Sequence, residues 1–184
     1  MAPWMWIAIA AAVVIVCVVV FTWWRERSRS HRTEELQGQF GQEYDRTVQE
    51  KGRKGAETEL AERKERVEAM PLQQLTPEQT DQFAQLWTAT QARFVDDPGG
   101  AVTDADRLVA DVMRTRGYPV GDFDQRAADV SVDHPQVVAN YRAAHEIAIR
   151  HSRAEATTEE LRQAMVHYRA LFSDLLETAV PAAR

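Results

Sequence analysis

Five histidines, one cysteine and 28 acidic side chains are the groups through which this chain could hold a metal or move protons. His145 and His151 fall in one helix-patterned stretch but six residues apart. That is about 240° around a helix of roughly 3.6 residues per turn, so they share no ligand face. Glu146 follows His145 directly, so there is neither an HExxH pair nor the Glu-x-x-His repeat of di-iron bundles. Nucleophilic chemistry is no better served. Cys17 lies in an apolar run, no Gly-x-Ser-x-Gly occurs, and Ser131, Asp133 and His134 are crowded into one turn, where such residues cap helices. Gly99-Gly100 follows Pro98 without the pattern of a phosphate-binding loop. The carboxylate pairs Asp96-Asp97 and Glu159-Glu160 stand where helices start or stop, and negative charge favours a helix N-terminus. The expectation is a protein that is not an enzyme, with no cofactor and no metal.

The segment that carries the most chemistry outside regular helix patterning is 117–135, GYPVGDFDQRAADVSVDHP, with two residues of the helix after it. Tyr118, Phe123, Asp129, Asp133, His134, Arg142 and His145 form a candidate interaction surface, because loops on a rigid scaffold often carry binding. Each of them also has a structural explanation: Tyr118 and Phe123 sealing the end of a bundle, His145 a satisfied core or boundary histidine, the aspartates as caps.

The elements that must position these residues are helical. Thr76-Pro77-Glu78-Gln79 combines a Thr cap, Pro at the first helical position and Gln three residues after the cap. The helix it opens carries Phe83, Leu86, Trp87, Thr90 and Phe94 on one side. Asp96-Asp97-Pro98-Gly99-Gly100 should break the chain. A second helix holds Val102, Ala105, Leu108, Val109, Val112 and Met113 on one face and should stop at Gly117. Asp122 should open a short helix to about Asp129. A longer one after Pro135 presents Val137, Val138, Tyr141, Ala144, His145 and Ala148, and the last, from Thr157, presents Leu161, Met165, Tyr168, Phe172, Leu175 and Leu176. No stretch alternates with period two. The fold class expected for 76–184 is therefore all-α, a compact bundle of four to five amphipathic helices.

Residues 33–75 read as a charged, partly helical stalk. Large apolar side chains are few there, so the stretch cannot form a core of its own. Glu-before-base pairs four apart, such as Glu59 with Arg63 and Glu62 with Arg66, support helix over ETELAERKERVEAM. Leu60 and Val67 are one heptad apart, too little for a coiled coil, so a solvated spacer is expected, with a stripe that could lie on the domain or on a second copy.

Residues 1–24 contain no charged side chain. The 21 residues from Trp4 to Trp24 would reach roughly 30 Å as a helix, the thickness of a bilayer's hydrocarbon. Trp4, Trp6, Trp23 and Trp24 would sit at the headgroup boundaries. A cleaved signal peptide would need a basic start, a shorter apolar core and a small-x-small site, none of which is present. The juxtamembrane segment 25–32 carries Arg25, Arg27, Arg29 and Arg32 against Glu26, which predicts a cytoplasmic C-terminal side and an outside N-terminus. These arginines could also contact anionic headgroups of the lipid bilayer. Residues 71–184 hold 11 Lys+Arg against 17 Asp+Glu, a poor match for nucleic acid.

RFVDDPGGAV, VMRTRGYPVGDFDQRAADVSVDHPQVVANYRAAHEIA and LRQAMVHYRALF, with FGQEYDR at 40–46, together resemble an uncharacterised family of bacterial single-pass membrane proteins with a soluble C-terminal helical domain. The resemblance spans most of the soluble part and implies architecture and location, with no activity attached. Three lysines against 19 arginines suit a GC-rich bacterial genome. The expected role is a membrane-tethered cytoplasmic module at the bacterial inner membrane that docks a protein partner. Self-association through Ala8/Ala12 and the Leu60/Val67 stripe, or an enzyme with a site near 117–135, are the alternatives.

Overall fold

The computed structural model describes residues 33–177. The expected membrane helix (1–24, with Trp4, Trp6, Trp23 and Trp24) and the basic segment (25–32, with Arg25, Arg27, Arg29 and Arg32) lie outside the described residues, as does 178–184. Among the described residues there is no strand, and no helix is long and apolar enough to cross a membrane. The all-α expectation holds. Among the described residues seven helical segments follow one another: α1 (33–40), α2 (Gln42–Glu68), α3 (Pro77–Arg93), α4 (Pro98–Thr115), α5 (Phe123–Asp133), α6 (Pro135–Ser152) and α7 (Thr158–Glu177).

α6 and α7 run antiparallel at the centre, shown by His167 against Asn140 at one end and Arg150 against Glu160 at the other. α4 packs on this pair, α3 on α4, and α5 on α6. The stripes read from the sequence supply the core: Val102, Ala105, Val109, Val112 and Met113 from α4 join Tyr141 and Ala144 from α6 and Tyr168, Phe172 and Leu175 from α7, with Leu171 added. Trp87 anchors α3 by stacking on Phe172, ring centroids 4.7 Å apart. Leu86, expected on the same buried stripe, is 46% exposed: α3 is a surface helix held along one narrow line, with only Trp87 and Thr90 fully covered.

Helix ends follow the capping chemistry. Thr76 and Gln79 form a reciprocal capping box, and Thr157 with Glu160 form another. Two boundaries differ from expectation. Asp97 caps α4 from outside by accepting from Gly100 N at 2.9 Å, and Pro98 occupies the first helical position, so Gly99 and Gly100 are in the helix and do not break it. α5 continues past Asp129 to Asp133, because the steric restriction from Pro135 falls on the residue before it; only His134 leaves the helical region.

The largest departure concerns 33–75. It is partly helical, over 33–40 and 42–68, as expected, and its stripe lies on the domain, one of the two placements expected for it, but it is not a solvated spacer. Leu36, Phe40, Tyr44, Leu60 and Val67 are buried and belong to one continuous core with the bundle. In a straight helix Leu36, Phe40 and Tyr44 would share one face and Leu60 and Val67 nearly the opposite one; the chain gathers them by turning at Gly41 (φ 51°) and Gly52 (φ 70°), conformations that L side chains rarely adopt. The fold-back at Gly52 is what lets Arg63 reach Glu43, 20 residues earlier, at 3.1 Å. α1 packs on α2 through Thr33 with Glu57 and Glu35 with Lys64, and α2 lies against α5 and α6, so the two form one arm.

Candidate functional site

The seven residues of the candidate surface do not converge on one patch. They separate into three groups, and Tyr118, Asp129 and His134 are buried. These three cannot line an exposed docking surface: Asp129 is on the inward face of α5, and Tyr118 and His134 are buried where the chain enters and leaves that helix.

The first group closes one end of the bundle. His134 is held at the α5–α6 junction by Pro135, with no exposed surface. Its Nδ1 hydrogen-bonds Asp174 of α7, and its Nε2 is buried with no partner among the described residues. Burial pushes the imidazole below its usual pKa, against the opposing pull of Asp174, so the neutral ring donates from Nδ1. Beside it the Tyr118 hydroxyl donates to Asp133 Oδ2 at 2.7 Å, and burial together with that carboxylate drives the phenol far above its ordinary range. The buried Arg116 donates from Nη1 to the Leu175 carbonyl at 2.7 Å, tying the end of α4 to α7. Gly117, at φ 98°, turns the chain here against the Pro71 carbonyl.

The second group lies under the arm. Asp129 is fully buried; its Oδ1 accepts from Arg66 Nε (3.0 Å), Arg66 Nη2 (2.9 Å) and Gln125 Nε2 (2.8 Å). Arg142 donates to Glu43 Oε1 at 2.7 Å, and Arg63 donates to the same oxygen. Glu43, 3% exposed, is thus a carboxylate held between the arm and α6 by guanidiniums from both. A cleft of about 450 Å³ runs beside this network, lined by five basic and five acidic side chains.

The third group is aromatic. Phe123 stacks on His145, centroids 3.5 Å apart and planes within 7°, and tilts against Tyr141 at 4.8 Å. Arg126 Nε donates to the Tyr141 hydroxyl at 3.1 Å, and the Tyr168 hydroxyl donates to Asp106 at 3.1 Å. Burial lifts the Tyr141 phenol to about 12 and lowers the His145 imidazole.

Sequence reasoning missed Glu43, Arg63, Arg66, Asp106, Arg116 and Asp174. Arg66 reaches Asp129 across 63 residues and Arg142 reaches Glu43 across 99, so local spacing carried no signal for either. Among the described residues no group of three or more His, Cys, Asp or Glu side chains could hold a metal ion. What the three groups do chemically is hold helices: each charged or phenolic side chain is spent on a neighbour within the fold. No family model, curated protein or solved structure matches the chain.

Proposed function

We propose that this chain is a membrane-tethered helical module that docks a protein partner at the inner face of the bacterial cytoplasmic membrane. The observation that carries the reading is in the sequence: 21 residues from Trp4 to Trp24 without a charge, bounded by tryptophans and followed at once by Arg25, Arg27, Arg29 and Arg32. The helical domain suits that place. Residues 33–177 hold 17 Lys+Arg against 27 Asp+Glu, so an anionic leaflet repels the domain while a basic partner is drawn to it. Tethering confines domain and partner to one surface and raises their effective concentration, so a weak docking face suffices.

Neither alternative gains support. Leu60 and Val67, the stripe that could pair two copies, are buried in the chain's own core. Asp129 and His134, the titratable groups on which an enzyme near 117–135 would draw, are sealed from solvent and so from substrate.

Two measurements test the reading. Alkaline carbonate extraction should leave the full chain in the membrane pellet and release a chain lacking residues 4–24. A reporter active only after export, fused to the C-terminus, should be silent; activity there reverses the orientation and removes the cytoplasmic partner with it.

A further inference from the structure

We propose that residues 33–68 act as a detachable strap: the arm opens off the α5–α6 face as one unit while α3 to α7 stay folded. The inference stands on the described residues alone and is independent of membrane attachment.

The chemistry of the seam differs from that of the bundle interior. α6, α7 and α4 meet mainly through apolar and aromatic side chains, whose burial is lost outright if they part; their one ion pair among the described residues, Arg150–Glu160, is well exposed to solvent. The arm meets α5 and α6 through ions as well: Glu43 with Arg142, and Arg66 with Asp129, where both carboxylates are buried. Closing such pairs costs the hydration of each charge, and opening returns it to both partners together. An intact pair therefore sets the register of the arm and adds little net hold, whereas removing one partner strands the other's buried charge and favours opening.

Two further features favour opening. Asp129 Oδ2 and Arg142 Nε are buried at the seam without a hydrogen-bond partner among the described residues, a cost that water relieves as soon as the seam parts. The cleft of about 450 Å³ already runs between Arg66 and Arg142, so solvent stands at the edge.

The hinge is defined as well. Beyond α2, Gln73 is pinned to the end of α4 by its backbone N–H on the Arg116 carbonyl (2.9 Å) and its side-chain amide on the Thr115 carbonyl (2.8 Å). The helix ends at Glu68 and the chain at Ala69 and Met70 is non-helical, so any hinge falls there, ahead of Pro71, whose carbonyl packs against Gly117 on the fixed side. Leu36, Phe40, Leu60 and Val67 keep the closed form dominant, which makes opening an excursion rather than the resting state. Each excursion uncovers Asp129 without its Arg66 partner and leaves Arg142 with only the long contact to Asp124 (3.9 Å).

Native-state hydrogen exchange on the full chain in detergent micelles, at increasing low urea, tests this. Amides of 54–66 should share one opening that occurs roughly tenfold or more often than the opening protecting 105–113 and 164–172. Glu43→Gln should raise exchange of 54–66 by roughly another tenfold, corresponding to about 1.4 kcal/mol, and leave 105–113 and 164–172 unchanged. Arg66→Gln, at a half-exposed position, is the milder variant and should shift the same amides alone. One common opening for arm and bundle at all urea concentrations, or variants that accelerate both regions equally, overturns the strap.

Discussion

Acidification is the perturbation that interrogates the closed end of the bundle most directly. His134 is fully buried, faces Asp174 from α7, Asp133 from α5 and Arg116 at the end of α4, and its folded pKa lies below the usual value because burial disfavours the cation. Its unfolded pKa is about 6.5. A base with a depressed folded pKa costs stability as pH falls through the unfolded value, because the unfolded chain takes up the proton first. The slope cannot exceed about 1.4 kcal/mol per pH unit for one such group. Integrated from pH 7 to 5.5, the loss has an upper bound of about 1.3 kcal/mol, or roughly 3–5 °C in Tm for a domain of this size, the limit set by a folded ring that stays neutral throughout. Carboxylates do not obscure this window. Glu160, held near 2 by its cap and Arg150 contacts, gives its stability above the unfolded carboxylate value and loses it only at lower pH. His145 titrates with the same sign but is half-exposed against Phe123, so its share is smaller. The assay is thermal melting of the full chain, followed by helical circular dichroism at half-unit pH steps. His134→Asn, which can still donate to Asp174, should flatten most of the slope whatever its cost at pH 7; His145→Asn should flatten a minor part. A wild-type profile that is level from pH 7 to 5.5, or one whose slope survives in His134→Asn and vanishes in His145→Asn, refutes the reasoning.

Other substitutions separate the remaining interpretations. Leu60→Ala should weaken the docked arm by about 2–5 kcal/mol, seen as faster proteolysis or exchange of 53–68, because the side chain has no exposed surface; a solvated spacer would show no change. Val166→Ala, at a half-exposed site, should alter melting by less than about 0.5 kcal/mol and serves as its control. Thr76→Ala removes one half of the capping box of α3 and should cost about 1 kcal/mol in the same melts. Gly117→Ala should cost about 1–3 kcal/mol, since a side chain at φ 98° is strained and its Cβ would stand 2.8 Å from the Pro71 carbonyl.

Much of the helical architecture was legible because its causes are local. The α4 and α7 stripes, the Thr76 box and the Asp122 cap depend on residues three or four apart, and spacing of that kind is visible in any sequence. The errors share a cause too. Gly99-Gly100 looks like a chain break until Asp97 supplies the cap from outside, and Ser131-Val132-Asp133 looks like a turn until Pro135 is seen to restrict only His134. The candidate surface was legible as a set of unusual residues, but not as three separate groups, since which partner each side chain meets depends on helices far along the chain.

The sequence by itself determined that the described chain is helical, where most helices begin and end, and which faces of α4, α6 and α7 turn inward, because periodicity and capping act within a turn or two. Only the tertiary structure decided that 33–68 folds back onto the bundle, that Glu43 is shared by Arg63 and Arg142, and that Asp129 and His134 are interior. The physical reason is range. Two glycines reverse the arm, and a carboxylate then pairs with a guanidinium 99 residues away, a contact for which the chain carries no local pattern.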